Sequence, residues 1–340
     1  MIDIVIDVTL LAFLAITAVA TLHLTNLFAI VMLFGIFSLL SAGLFVVMDA
    51  PDVAFTEAAV GAGISTVLML ATLALVKRPQ KPYYAEAPRT HTPWLPLIVV
   101  IITGSALVYG TWDIPGFGAP GAPAQTHVAR DYIDNALQET GVPNVVTAVL
   151  ASYRGFDTLG EVVVVYTAGV AVLLLIMGGA QKRRPDPGMR GDQMRPHLIL
   201  HVIAKFVIPL IILFALYVQF HGDFGPGGGF QAGVIFSAAL ILYALVFGLD
   251  VAEKIIPSRW LHKLAALGVM IYAGVGVVPL LLGGNYLDYT LLGSNQVAGQ
   301  HLGILLVELG VGITVASVML ILFFAFAGRA RTVSYTHLTL

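Results

Sequence analysis

The chain contains no cysteine, which excludes disulfides, thiolate nucleophiles and cysteine-held zinc or iron–sulfur centres. Charged residues make up only 11% of it, against about 25% in a soluble domain. The formal net charge of -2 offers no basic surface for nucleic acid. No nucleophile is paired with a base, no histidine cluster has metal-ligand spacing, and no cofactor fingerprint occurs. No cofactor is therefore expected, and no enzyme chemistry of the chain's own. The densest glycine run, His221-Gly-Asp-Phe-Gly-Pro-Gly-Gly-Gly-Phe-Gln-Ala-Gly233, has neither the preceding strand nor the Lys-Ser/Thr of a phosphate-binding loop. What the chain does have is apolar surface. A hydrophobic content of 58% and a mean hydropathy of +0.92 describe an integral membrane protein.

A membrane-crossing helix needs about 20 apolar residues. Nine stretches are of that kind: 4–22, 27–48, 53–76, 94–112, 157–178, 198–220, 230–249, 261–282 and 301–327. The expected fold is all-α and polytopic. Lysines and arginines in the connecting loops set its orientation. Lys77, Arg78, Lys81 and Arg89 form one group, and Lys182, Arg183, Arg184, Arg190 and Arg195 a second. Lys254, Arg259 and Lys263 form a third, and Arg329 and Arg331 follow the last span. Nine spans put fourteen of the seventeen basic residues on one side, the cytoplasmic one; losing a span would scatter them over both. The N-terminus is then outside and the C-terminus cytoplasmic. Arg130 and Arg154 fall outside, and Lys205 lies within a span. Asp3 and Asp7 flank the first apolar run where a signal peptide would be positive, so the run reads as a retained helix.

Composition divides the chain into modules. Residues 1–78 hold three helices, 79–93 a cytoplasmic linker, 94–180 two helices joined by a long outer segment (113–156), 181–196 a basic linker, and 197–328 four helices. The tail 329–340 fits no element beyond Arg331 and reads as a terminal artefact. In the outer segment, Thr126 is placed to cap a short amphipathic helix that Gly141 stops, and Pro143 suits the first turn of a second.

Ionisable groups in hydrocarbon are expensive and tend to face a bundle interior or an aqueous cavity. Glu57 lies about a turn and a half into its helix with Gly61 one turn on, so its face admits close packing. Asp157 and Glu161, four apart on one helix face, close the run Arg154-Gly-Phe-Asp-Thr-Leu-Gly-Glu161. Two readings stand for that pair. Thr158-Leu-Gly-Glu161 fits a capping box, and the same carboxylates fit a transient sodium site at a wet helix start. His201 and Lys205 share a face of the sixth span. Pro209 removes the N–H that would bond the Lys205 carbonyl, so charge and a freed carbonyl coincide there. Glu308 lies about two turns below the outer face beside Gly310 and Gly312, which imply close packing or a bend. His301 reads as a surface residue, and Asp7, His23, Asp49 and Asp288 as solvated span ends. The run Gly225-Pro226-Gly227-Gly228-Gly229 reads as a tight turn needing positive φ at several positions.

Residues 196–328 resemble the B subunit of the multisubunit Mrp (Mnh, Sha) cation/proton antiporters. The resemblance rests on Pro196-His-Leu-Ile-Leu-His-Val-Ile-Ala-Lys205 and on the His221–Gly233 run, which is highly specific. Residues 1–180 are similar to the C-terminal part of the A subunit of those antiporters, to the D and E subunits of membrane-bound hydrogenases and, more remotely, to the J subunit of respiratory complex I. Ala50-Pro-Asp-Val-Ala-Phe-Thr-Glu-Ala-Ala-Val-Gly61, Asn144-Val-Val-Thr-Ala-Val-Leu150 and the Arg154–Glu161 run carry that similarity. The resemblance implies a multi-pass subunit of the cell membrane, partnered by A-, C-, D-, E-, F- and G-type subunits, in a complex exchanging Na+ for H+. By the family's pattern Asp157 and Glu161 lie on an ion or proton path that Glu57, His201 and Lys205 extend, and Glu308 joins it by its own place within the last span. The chain departs from the common pattern in fusing A-type and B-type regions in one chain. Two alternatives remain: the same module in a hydrogenase- or complex-I-like redox-driven pump, and a purely structural scaffold.

Overall fold

The computed structural model describes residues 2–73, 94–116, 118–177 and 198–334. The first two basic groups, both linkers and residues 335–340 lie outside the described residues. Among the described residues the regular structure is helical, and eight helices are long and apolar enough to cross a membrane.

The spans form where apolar residues continue all round the helix, leaving no polar face to be solvated. Helix α1 (Ile2–His23) turns tightly into α2 (Leu27–Val47). Asn26 caps α2, its Oδ1 accepting from Phe28 N at 3.0 Å and Ala29 N at 3.4 Å. The third span is one continuous rod with a change of pitch inside it. Helix α3 (Pro51–Glu57) starts on a proline, which has no N–H to lose there. It passes through a π-helical segment, Ala58–Ser65, into α4 (Thr66–Leu73). π-segments are rare and cluster at functional sites. The fourth apolar stretch forms α5 (Trp94–Gly110), which at 17 residues sits at the short end of the spanning range.

The outer segment is more broken than its sequence implies. Thr126 ends a short helix, α6 (Pro123–Thr126), rather than capping the next, and α7 (Val128–Thr140) begins after His127. Gly141, at φ +73°, ends α7 as expected. Asn144, not Pro143, starts the following turn, α8 (Val145–Thr147), because its side chain accepts from Val146 N at 3.0 Å. A second π-segment, Ala148–Tyr153, leads into α9 (Gly155–Met177). The last four spans are α10 (Leu198–His221), α11 (Gly229–Phe247), α13 (Ser258–Leu281) and α14 (Gln296–Ser334), with the short α12 (Leu249–Ile255) between two of them. Helix α14 runs three residues past Arg331, so the start of the tail continues the last span instead of fitting no element.

The chain divides into two compact units, Lys77–Asn135 and the remainder, Met1–Val76 with Ala136–Leu340. The smaller contains α5, α6 and the start of α7. The larger is built around α14, the most buried span. Small residues let its neighbours approach to backbone contact. A Cβ at Gly310 would fall 2.7 Å from Gly268 O on α13, and one at Gly233 of α11 would fall 2.7 Å from Gly312 O. Gly310 and Gly312 therefore mark close packing on two different sides of one helix, not a bend.

The connectors of the larger unit meet on one face. Asn144 donates to Asp52 Oδ1 at 3.2 Å, and to Gly222 O at 3.1 Å and Gly225 O at 2.9 Å in the glycine hairpin. Thr147 donates to Gly222 O at 2.6 Å. Ser152 donates to Gln300 Oε1 at 2.7 Å, and Tyr289 to Ala151 O at 2.9 Å. These are the connectors that the charge pattern assigns to one side of the membrane.

Candidate functional site

Below that face lies a cavity of about 310 Å³ between α3, α9, α11, α13 and α14. It runs from Asp52, Thr147 and Gly227–Gly229 at the connectors down to Val311 and Val315. Two carboxylates on different helices, Glu161 of α9 and Glu308 of α14, line it together. Asp52, at the connector end, is a third carboxylate, and the other polar lining is neutral: Thr56, Thr147, Thr158, Gln231 and Tyr272. A small space with three acids and several hydroxyls in an apolar wall suits a proton or a small hydrated cation.

Glycine makes this arrangement possible. Glu308 is half-buried, and a Cβ at Gly228 would fall 2.9 Å from its Oε1, one at Gly222 3.2 Å from the same oxygen. Any side chain at either position would displace the carboxylate. Gly228 also adopts φ +103°, the one left-handed residue in the hairpin. The expected series of positive-φ glycines therefore reduces to one; the others are needed for close approach.

The surrounding polar groups hold the walls in place. Gln231 Nε2 donates to Thr56 Oγ1 at 2.8 Å, tying α11 to α3. Tyr272 and Tyr289, both fully buried, grip the start of α9: Tyr272 donates to Gly155 O at 2.7 Å, and Tyr289 to Ala151 O at 2.9 Å. Burial pushes the Tyr289 hydroxyl well above the ordinary phenol range, so it stays a neutral donor throughout physiological pH.

The residues expected from the sequence to share one path separate. Glu161 and Glu308 come together. Glu161 is no capping-box partner: α9 starts at Gly155, which places Thr158 inside the first turn, and Thr158 donates to Leu150 O at 2.7 Å instead. Asp157 turns away to an exposed bridge with Arg154, 2.5 Å from Nη2. Glu57 packs towards Gly61 and Ser38 of α2 at the start of the π-segment and does not line the cavity. His201 and Lys205 are likewise elsewhere, on the exterior of α10. His201 lies edge-on to Phe247, with its Nδ1 buried and unbonded, and Lys205 is exposed with no carboxylate partner among the described residues. Helix α10 continues through Pro209.

Other expectations change as well. His301 is not a free surface residue: its Nδ1 lies 3.1 Å from Asp223 Oδ2, because the hairpin folds over the start of α14. Asp288 caps the 3-10 turn Tyr289–Leu292, and Asp7 keeps one buried oxygen without a partner. Sequence reasoning missed Asp52, Asn144, Asp223, Gln231 and Tyr272. Asn144 and Asp223 lie within recognisable motifs, but their roles depend on contacts 78 residues apart in the chain. Among the described residues no group of three or more His, Asp or Glu is disposed to hold a metal ion.

Eight apolar spanning helices among the described residues, with a small cavity lined by carboxylates, define a multi-pass membrane protein. Three family models match in series. One, described as the D subunit of MBH, matches residues 12–78, and another, described as the E subunit of MBH, matches 97–187. A domain related to the MnhB subunit of Na+/H+ antiporter matches 199–321. The putative antiporter protein mnhB2 of Staphylococcus haemolyticus is 33% identical over 138 residues, which is 38% of this chain and 94% of that protein. The probable A/B subunit of a K+/H+ antiporter of Rhizobium meliloti is 26% identical over 321 residues; they make up 86% of this chain but 31% of the rhizobial protein. The chain thus spans about a third of that relative's length. In the Mrp complex from Dietzia sp., a chain superposes with a TM-score of 0.75 at 26% identity, covering 94% of this chain and 34% of its own length. A chain of the archaeal membrane-bound sulfane sulfur reductase gives 0.52 at 28% identity, covering 67% and 95% respectively. The chain belongs to the MnhB family of antiporter subunits.

Proposed function

We propose that the chain is a B-type subunit, fused to a region like the C-terminal part of the A-type subunit, of a complex that exchanges a monovalent cation for protons. Its partners are the other subunits of that complex, and its own contribution is a segment of the ion or proton route. The cavity that unites Glu161 and Glu308 carries this reading. Two acids facing one small space in the membrane interior cannot both stay charged and unneutralised at low cost. A proton on Glu308 and a cation beside Glu161 neutralise them in turn. Glu57, Asp157, His201 and Lys205 lie off this cavity, so any share they have in transport passes through neighbouring subunits. Na+ and K+ are both supported by the names of relatives. The charge-derived orientation puts the connector face outside.

Everted vesicles containing the intact complex test this. Glu161→Gln is expected to lower cation-dependent proton flux while the complex still assembles; unchanged flux would instead favour the scaffold reading. The likeness to the sulfane sulfur reductase favours a second reading, the same module in a redox-driven assembly. Copurification of redox subunits with the native chain would select it.

A further inference from the structure

Resting on the reading above, we propose that His301 and Asp223 form the proton relay that loads and unloads Glu308 from the connector face. His301 and Glu308 are seven residues apart on α14, so they lie on one face about two turns apart. Asp223 closes that face from above. Its Oδ2 lies 3.1 Å from His301 Nδ1, and its neighbour Gly222 abuts Glu308 Oε1. The side chain of His301 is 37% exposed and that of Asp223 20%, so the pair grades from solvent towards the cavity.

The step moves only a proton. Protonated His301 gives its Nδ1 proton to Asp223, which passes it, directly or over a water, to the Glu308 carboxylate. Neutral His301 then takes a proton from bulk water. Imidazole is the one side chain whose ordinary titration range matches the outside medium. The hairpin is held rigidly enough for such transfer: Asn144 N donates to Asp223 O at 3.0 Å, and the Asn144 and Thr147 side chains grip Gly222 and Gly225. Other titratable groups face this corner. His221 packs against Gly225 in the hairpin. Glu139, at the end of α7, has its carbonyl bonded by Gln296, the first residue of α14. Asp52 joins through Asn144.

The bland alternative is that His301 merely latches the hairpin. His301→Gln separates the two, because an amide still donates to Asp223 but does not take up and release a proton in this pH range. Cation-dependent proton flux would be measured between pH 6 and 9 in vesicles containing the intact complex. A relay predicts a loss of about fivefold or more on the alkaline side, near-normal flux at the acid end, and an optimum displaced to lower pH. Asp223→Asn should displace it the same way. A wild-type profile in His301→Gln overturns the relay, and so does a uniform loss at every pH accompanied by poor assembly. Glu308→Gln serves as the control. If it abolishes flux while His301→Gln is silent, the relay alone fails; if Glu308→Gln is itself silent, the transport reading fails with it.

Discussion

Glu161 and Glu308 are 147 positions apart in sequence, and only the fold brings them to one cavity. Each was legible singly, because an acid in an apolar span stands out against its neighbours. Their pairing was not, since it depends on α9 packing against α14. The capping motif at Thr158 misleads for a local reason: the π-segment Ala148–Tyr153 carries the chain straight into α9, and the helix begins three residues before the box. The neutral donors offer two predictions at this scale. Tyr272→Phe removes the hydrogen bond to the buried Gly155 carbonyl, which should cost about 1 kcal/mol and lower the thermal midpoint of the purified complex. Asn144→Ala removes the hydrogen bonds that join Asp52, the outer segment and the hairpin. It should cost about 2 kcal/mol or more, read in the same assay, and lower transport as the hairpin loosens over Glu308.

Among the elements, α14 organises the larger unit. Glycine spacing made its role partly legible: Gly310 and Gly312 pointed to close contact, and the structure assigns one to α13 and the other to α11. Adding a methyl at Gly268 would meet Thr314 Oγ1 and, behind it, the backbone atoms Gly310 O and Thr314 N, which cannot move aside as a side chain could. Gly268→Ala should therefore cost about 1–3 kcal/mol and reduce the amount of assembled complex recovered from membranes. A comparable residue on open surface, Gly274, has nothing within 4 Å of the same added atom, and Gly274→Ala should leave assembly unchanged. The π-segment in the third span was invisible to hydropathy, which registers apolar content and not one extra residue per turn.

For the whole molecule, hydropathy located eight spanning helices among the described residues to within a few residues, because the bilayer imposes length and apolar content on the sequence directly. Side-chain partnerships were not imposed in this way. Broad apolar faces stay uncovered within the chain: Ile4, Leu11 and Leu22 of α1 and Phe206, Leu210 and Leu213 of α10 are all exposed. Such faces meet lipid or other subunits. Reconstituted alone, the chain should give no cation-dependent proton flux above empty liposomes, while the intact complex should.

Glu161 and Glu308, if they serve one route through one cavity, must behave as a unit. Cation-dependent proton flux in everted vesicles, measured for the intact complex with Glu161→Gln, Glu308→Gln and the two combined, tests it most directly. Residues that act as a unit are strongly non-additive, so each single substitution should lower flux about tenfold or more and the double should fall little further. Wild-type flux from either single variant in a fully assembled complex, or losses that multiply in the double, would contradict it.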